Sequence, residues 1–135
     1  MDDTALSSRT AARQAIIALA LAHIASLFLA ADGPLDGFLI ALLAASALPY
    51  LLCLGVLRWT GNAWAALGGL IAIAVFDLWM YWSVFIAPRG STAAVGLIFA
   101  PVWKLFILLP LGAFVGRALQ AWRARRRRND IHIPR

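Results

Sequence analysis

Two ionisable side chains interrupt otherwise apolar stretches of this 135-residue sequence, Asp77 and Lys104. A carboxylate and an ammonium in such surroundings can pair, exchange a proton, or mark the path of an ion or substrate. Lys suits proton exchange better than Arg, because a buried ammonium gives up its proton more readily than a guanidinium. Lys104 is the single Lys among twelve basic residues, and all six acids are Asp. His23 lies in a third apolar stretch and contributes an imidazole, the side chain that ordinarily titrates near neutrality. Tyr81 stands one helical turn from Asp77 and offers it a hydroxyl, and Ser46 offers another from a fourth stretch. The candidate constellation is therefore the pair Asp77 and Lys104, with His23, Tyr81 and Ser46 as partners.

Other chemistry has no carrier here. The sequence holds no Gly-rich phosphate loop, no nucleophile elbow, no pair of catalytic carboxylates and no Cys/His cluster. Two histidines are too few for a typical haem or metal site. Cys53 is the only cysteine and reads as a small buried apolar residue. No Glu occurs. The membrane-embedded Glu of small four-helix multidrug exporters thus has no counterpart, and the Arg/Asn/Glu patterns of four-helix glutathione-handling membrane enzymes are missing too. The expectation is a non-enzyme with no cofactor and no metal.

The elements that must position these residues follow from composition. Hydrophobic residues make up 63% of the chain and charged residues 13%, with a mean hydropathy of +0.83. Soluble domains are about half apolar and about a quarter charged. So few charges cannot cover a soluble surface, which excludes a free globular enzyme; disorder, a coiled coil and a disulfide scaffold are excluded too. A bilayer core about 30 Å thick needs roughly 20 apolar residues per helix. Four stretches meet this, at about residues 14–31, 36–57, 62–87 and 92–120. Asp32-Gly33-Pro34, Thr60-Gly61-Asn62 and Pro88-Arg89-Gly90-Ser91-Thr92 read as the connections, with Ser91 or Thr92 as a helix cap. Short connections make sequential helices antiparallel neighbours. The predicted fold is all-α, a polytopic membrane protein whose four antiparallel transmembrane helices form a bundle over residues 14–120. Residues 1–13 precede it and a basic tail, 121–135, follows. The first stretch is longer than a signal-peptide core, and Leu29-Ala30-Ala31 is a poor cleavage site.

Depth counting joins the elements to the chemistry. Asp77 lies twelve residues before Arg89 and Lys104 lies fourteen after Gly90. At about 1.5 Å per residue the two share a layer near the bilayer centre. An isolated charge there costs about 2.5–3.5 kcal/mol on insertion scales, so the two are expected to pair. His23 and Ser46 fall in the same layer. Pro49 frees a carbonyl inside the membrane, and Pro101 places a kink three residues before Lys104. Gly112-x-x-x-Gly116, Ala65-x-x-x-Gly69 and Gly68-x-x-x-Ala72 suit close helix contact, within the chain or between chains. Ala15, Ala18, Ala22 and Ala25 form a further small-residue stripe. Trp82 and Phe85 fit one interfacial belt, Trp59 and Trp64 the other, and Trp122 anchors the last helix.

Arg placement sets the orientation. Arg9, Arg13, Arg58, Arg117, the tail arginines and Arg135 share one side, against Arg89, Asp32 and Asp36 on the other. The positive-inside rule puts both termini in the cytoplasm of a bacterial inner membrane. Arg123, Arg125, Arg126, Arg127 and Arg128 suit anionic lipid headgroups and no nucleic acid, since no reading domain is attached. Residues 129–135 read as extended or disordered. The expected role is a non-catalytic accessory, assembly or interaction subunit with a membrane-protein partner or as a homo-oligomer. The alternative is a small oligomeric transporter or channel working through Asp77 and Lys104; a lipid-binding role of the Arg tail ranks third.

Overall fold

The computed structural model describes residues 3–30, 36–86 and 93–131. The chain is an all-α bundle of four antiparallel membrane-spanning segments. Helix α1 is Asp3–Ala30, α2 is Gly37–Thr60 and α3 is Ala63–Tyr81, prolonged by a wide π turn at Trp82–Ile86. The fourth segment is α4, Ala93–Trp103, a second wide turn at Lys104–Leu108, and α5, Leu109–Ile131. All four segments are long and apolar enough to cross a membrane.

Local chemistry fixes the helix ends. Asp36 caps α2, its carboxylate accepting the Leu39 N–H at 2.8 Å. Asn62 does the same for α3 through the Ala65 N–H at 3.0 Å. Between α2 and α3 the chain reverses in two residues. Gly61 takes φ +62, a left-handed conformation that costs glycine little, and donates its N–H to the Leu57 carbonyl at 3.0 Å. The turns read at residues 32–34 and 88–92 lie outside the described residues.

Two helices run further than the hydropathy of the chain suggests. Helix α1 begins at Asp3, well ahead of the apolar stretch, and its turns ahead of that stretch bury Ala12 against the bundle. Helix α5 continues through the arginines to Ile131, where extended chain was expected from residue 129. Arg and Ala are strong helix formers, and a helix leaving a membrane needs no change of backbone to stay a helix. Residues 132–135 lie outside the described residues.

The most extensive contact joins α3 and α5. It is a meeting of backbones. A Cβ built on Gly68 would overlap the Gly112 carbonyl oxygen, and one on Gly116 would overlap the Trp64 carbonyl. Both loose small-residue patterns of α3 thus meet the GxxxG of α5 inside one chain, where dispersion between close backbones replaces the hydrophobic drive that lipid removes. Around this pair Ile16 of α1, Tyr50, Cys53 and Leu57 of α2, Leu70 and Ile73 of α3 and Leu109 of α5 form the core. Of the four stripe alanines of α1, Ala15 is half-buried against the core and Ala18, Ala22 and Ala25 are exposed, while Ala12, Ile16 and Leu27 are buried.

The wide turn at Lys104–Leu108 controls what α4 and α5 present. Its defining bond runs from the Leu109 N–H to the Lys104 carbonyl. It lies between Pro101 and Pro110, each of which lacks the N–H an α-helix would use. In an unbroken helix, at about 100° per residue, Gly112 and Gly116 would sit about 80° and 120° around from Lys104. The extra residue of the wide turn takes back about 100°. Lys104, Leu109, Gly112 and Gly116 then share one buried face.

Candidate functional site

Each of the four membrane segments contributes one polar side chain to a common centre. His23 comes from α1, Tyr50 from α2, Asp77 from α3 and Lys104 from the wide turn. Asp77 follows Ala65, Gly69 and Ile73 along the inward face of α3, so the packing that seats the glycines also aims the carboxylate inward. Lys104 is brought onto the matching face by the wide turn and is 1% exposed.

The Lys104 Nζ is in direct contact with Asp77 Oδ1. The second carboxylate oxygen, Oδ2, accepts the Tyr50 hydroxyl at 2.5 Å and faces His23 Nδ1 at 3.3 Å. The other imidazole nitrogen, Nε2, stands 3.5 Å from Lys104 Nζ. One tautomer satisfies both neighbours: Nδ1–H donates to Asp77, and Nε2 accepts from the ammonium. The His23 ring also packs against the Tyr50 ring, with centroids 5.6 Å apart. Among the described residues no buried side-chain nitrogen or oxygen lacks a partner. A carboxylate and an ammonium in contact cancel each other's charge, and the two neutral donors spread what remains.

A small cavity of about 20 Å³ adjoins this centre, lined by His23, Ser46, Asp77, Tyr81 and Lys104 among others. Its volume suits one water molecule, and its wall offers the polar partners a buried water needs. Ser46 reaches the centre as part of that wall and is 4% exposed. Tyr81 also lines it, but its ring packs on Phe85 at 5.0 Å. The hydroxyl that Asp77 accepts comes from Tyr50 instead. A residue one turn along the same helix points beside its neighbour, whereas Tyr50 reaches Asp77 across an interface. A second hollow, about 350 Å³, opens on the outer surface between α1 and α3, with Leu19, Ala22 and Leu78 as its rim and His23, Tyr50 and Asp77 at its floor.

Tyr50 is the member that the sequence left unread. Its signal was the pattern Ser46, Tyr50, Cys53 at helical spacing, with Pro49 beside it, and the fact that the chain has two Tyr, both within membrane stretches. Among the described residues no group of three His, Cys, Asp or Glu side chains comes together to hold a metal. Cys53, a free thiol, is fully buried in the core.

The chain stands apart. No family model, curated protein or solved structure matches it.

At the end where α1 begins and α5 leaves the bundle, arginines replace apolar contacts. Arg123 stacks over the Trp64 ring at 4.5 Å and Arg126 over the Trp122 ring at 4.0 Å. Arg125 is exposed on the same helix, and Arg127 and Arg128 continue it, with side chains outside the described ones. Indole rings held by guanidinium groups are suited to the headgroup layer, where one face is apolar and the other wet.

Proposed function

We propose that this small integral membrane protein is a non-catalytic accessory or interaction subunit of a membrane complex. The observation that carries the reading is the four-way polar centre. Every described charge inside the bundle is taken up by a partner from another helix, which suits a device that sets helix rotation more than one that turns over a substrate. The outer faces of all four segments remain apolar and free to meet lipid or other helices. The Arg distribution supports placement in a bacterial inner membrane with both termini in the cytoplasm and the tail against anionic lipid. Purification in mild detergent tests the proposal. The expected result is a stable assembly with a second membrane protein or with further copies of the chain; a lone monomer overturns it.

One observation favours a second reading, a small oligomeric transporter or channel. The outer hollow between α1 and α3 reaches His23 and Asp77 from the bilayer side. In that reading Asp77 and Lys104 handle an ion or proton, and liposome flux falls in Asp77→Asn and in Lys104→Met. Unchanged flux in both variants removes the pair from the mechanism.

A further inference from the structure

A second polar hollow lies away from the membrane centre, between α1 and α2. Arg9, Thr10 and Arg13 of α1 and Leu54, Leu57 and Arg58 of α2 line an open hollow of about 460 Å³. That is within the range of about 300–1,000 Å³ typical of small-ligand pockets. Three guanidinium groups line it, with no carboxylate among the described lining residues. Among the residues whose side chains are described, none forms an ion pair with any of the three. The Arg9 guanidinium is not adrift: it lies against Gly61, so the turn between α2 and α3 backs it from a third element. The Thr10 hydroxyl already donates to the Leu6 carbonyl at 3.0 Å, which leaves recognition to the arginines.

Depth decides what these groups meet. His23 belongs to the central layer. Arg13 is ten residues nearer the start of α1, about 15 Å along the axis, which is half of a hydrocarbon core about 30 Å thick. Arg9 is one turn further out. On α2, Arg58 is eight residues beyond Tyr50, about 12 Å, with a side chain long enough to reach the same level. The three guanidiniums therefore stand where phospholipid phosphates stand. Below them Leu57 is buried and Leu54 half-buried, an apolar floor on the side where acyl chains begin.

We infer that Arg9, Arg13 and Arg58 form a binding site for the phosphate headgroup of one anionic phospholipid, wedged between α1 and α2 with its acyl chains along Leu54 and Leu57. The chemistry is that of a phosphate ester met by several guanidinium forks. The site differs from the arginine tail, which presents diffuse charge on a single helix. It holds under either reading of the polar centre.

Native mass spectrometry of the detergent-solubilised chain tests the site, with dioleoyl phosphatidylglycerol and dioleoyl phosphatidylcholine titrated separately. The expected result is one phosphatidylglycerol bound ahead of any phosphatidylcholine. Each arginine removed near the surface should weaken that first binding about fivefold, in Arg58→Gln alone and more in Arg9→Gln with Arg13→Gln. Helicity by circular dichroism checks that these variants fold; Arg58→Gln, at an exposed position, carries the test should the double variant not. Arg125→Gln with Arg126→Gln should leave the first lipid in place. Equal binding of the two lipids, or an equal loss in the tail variant, overturns the site. Binding of glycerol 3-phosphate at least as tight as that of phosphatidylglycerol assigns the arginines to a free phosphate ester and overturns the lipid assignment.

Discussion

Two contacts along the same pair of helices hold this bundle by opposite means. Near the start of α3, Gly68, Gly112 and Gly116 bring α3 and α5 together through the absence of side chains. Toward the membrane centre, Asp77 and Lys104 join the same two segments through charge, and Tyr50 and His23 extend that junction to α2 and α1. The glycine contact fixes how close two helices lie and leaves the other two undirected. The polar contact fixes the rotation of all four. In lipid, where apolar faces are interchangeable, one contact of each kind is needed to specify a single arrangement.

The largest effect should come from stranding a charge. Asp77 has three partners, whereas Lys104 has Asp77 and the more distant His23. Asp77→Ala should therefore destabilise the bundle by about 3–5 kcal/mol in detergent unfolding titrations, the cost of leaving one member of a buried pair alone. Lys104→Met should cost less, because Asp77 keeps Tyr50 and His23. Equal losses would break that asymmetry. The exchange Asp77→Lys with Lys104→Asp should be more stable than either single change, and a double variant no better than both would show that the pairing is not what holds the centre.

Next in size is the glycine contact. Gly116→Leu must push α3 and α5 apart and should cost about 2–3 kcal/mol. A fluorescence-transfer pair on the two helices should report the separation, and an unchanged distance would mean that the contact tolerates side chains. Smaller again is the comparison of the two tyrosines. Tyr50→Phe should lose about 1 kcal/mol, a typical value for a hydrogen bond between membrane helices, and Tyr81→Phe close to nothing. The reverse order would restore Tyr81 as the partner of Asp77. Smallest is the interfacial stack: a double-mutant cycle of Trp64→Ala and Arg123→Gln should give a coupling of about 0.5–1 kcal/mol.

Hydropathy revealed the four spans, and residue counting placed Asp77 and Lys104 at one depth. Both quantities depend on position along the helix axis, and a sequence states that directly. Rotation about the axis was harder. A helix apolar on every side has no polar stripe to mark its outward face. For that reason Tyr50 went unread on α2, and the alanine stripe of α1, a contact face within or between chains, meets the core through Ala15 and leaves Ala18, Ala22 and Ala25 exposed. The inward face of α1 is instead chosen by His23, which must reach Asp77. On the fourth segment the prolines marked an irregularity, but its form, a wide turn starting at the lysine itself, required the hydrogen-bond pattern.

That wide turn makes chain length as consequential as residue type. Deleting any one residue from 105 to 108 would restore an ordinary helical turn without touching a charged group or a glycine. The segment before it would then swing by about 100° relative to the segment after it. With Gly112 and Gly116 still seated on α3, the ammonium of Lys104 would sweep out of the bundle toward hydrocarbon. A loss of one apolar residue would thus do the damage of an unpaired charge.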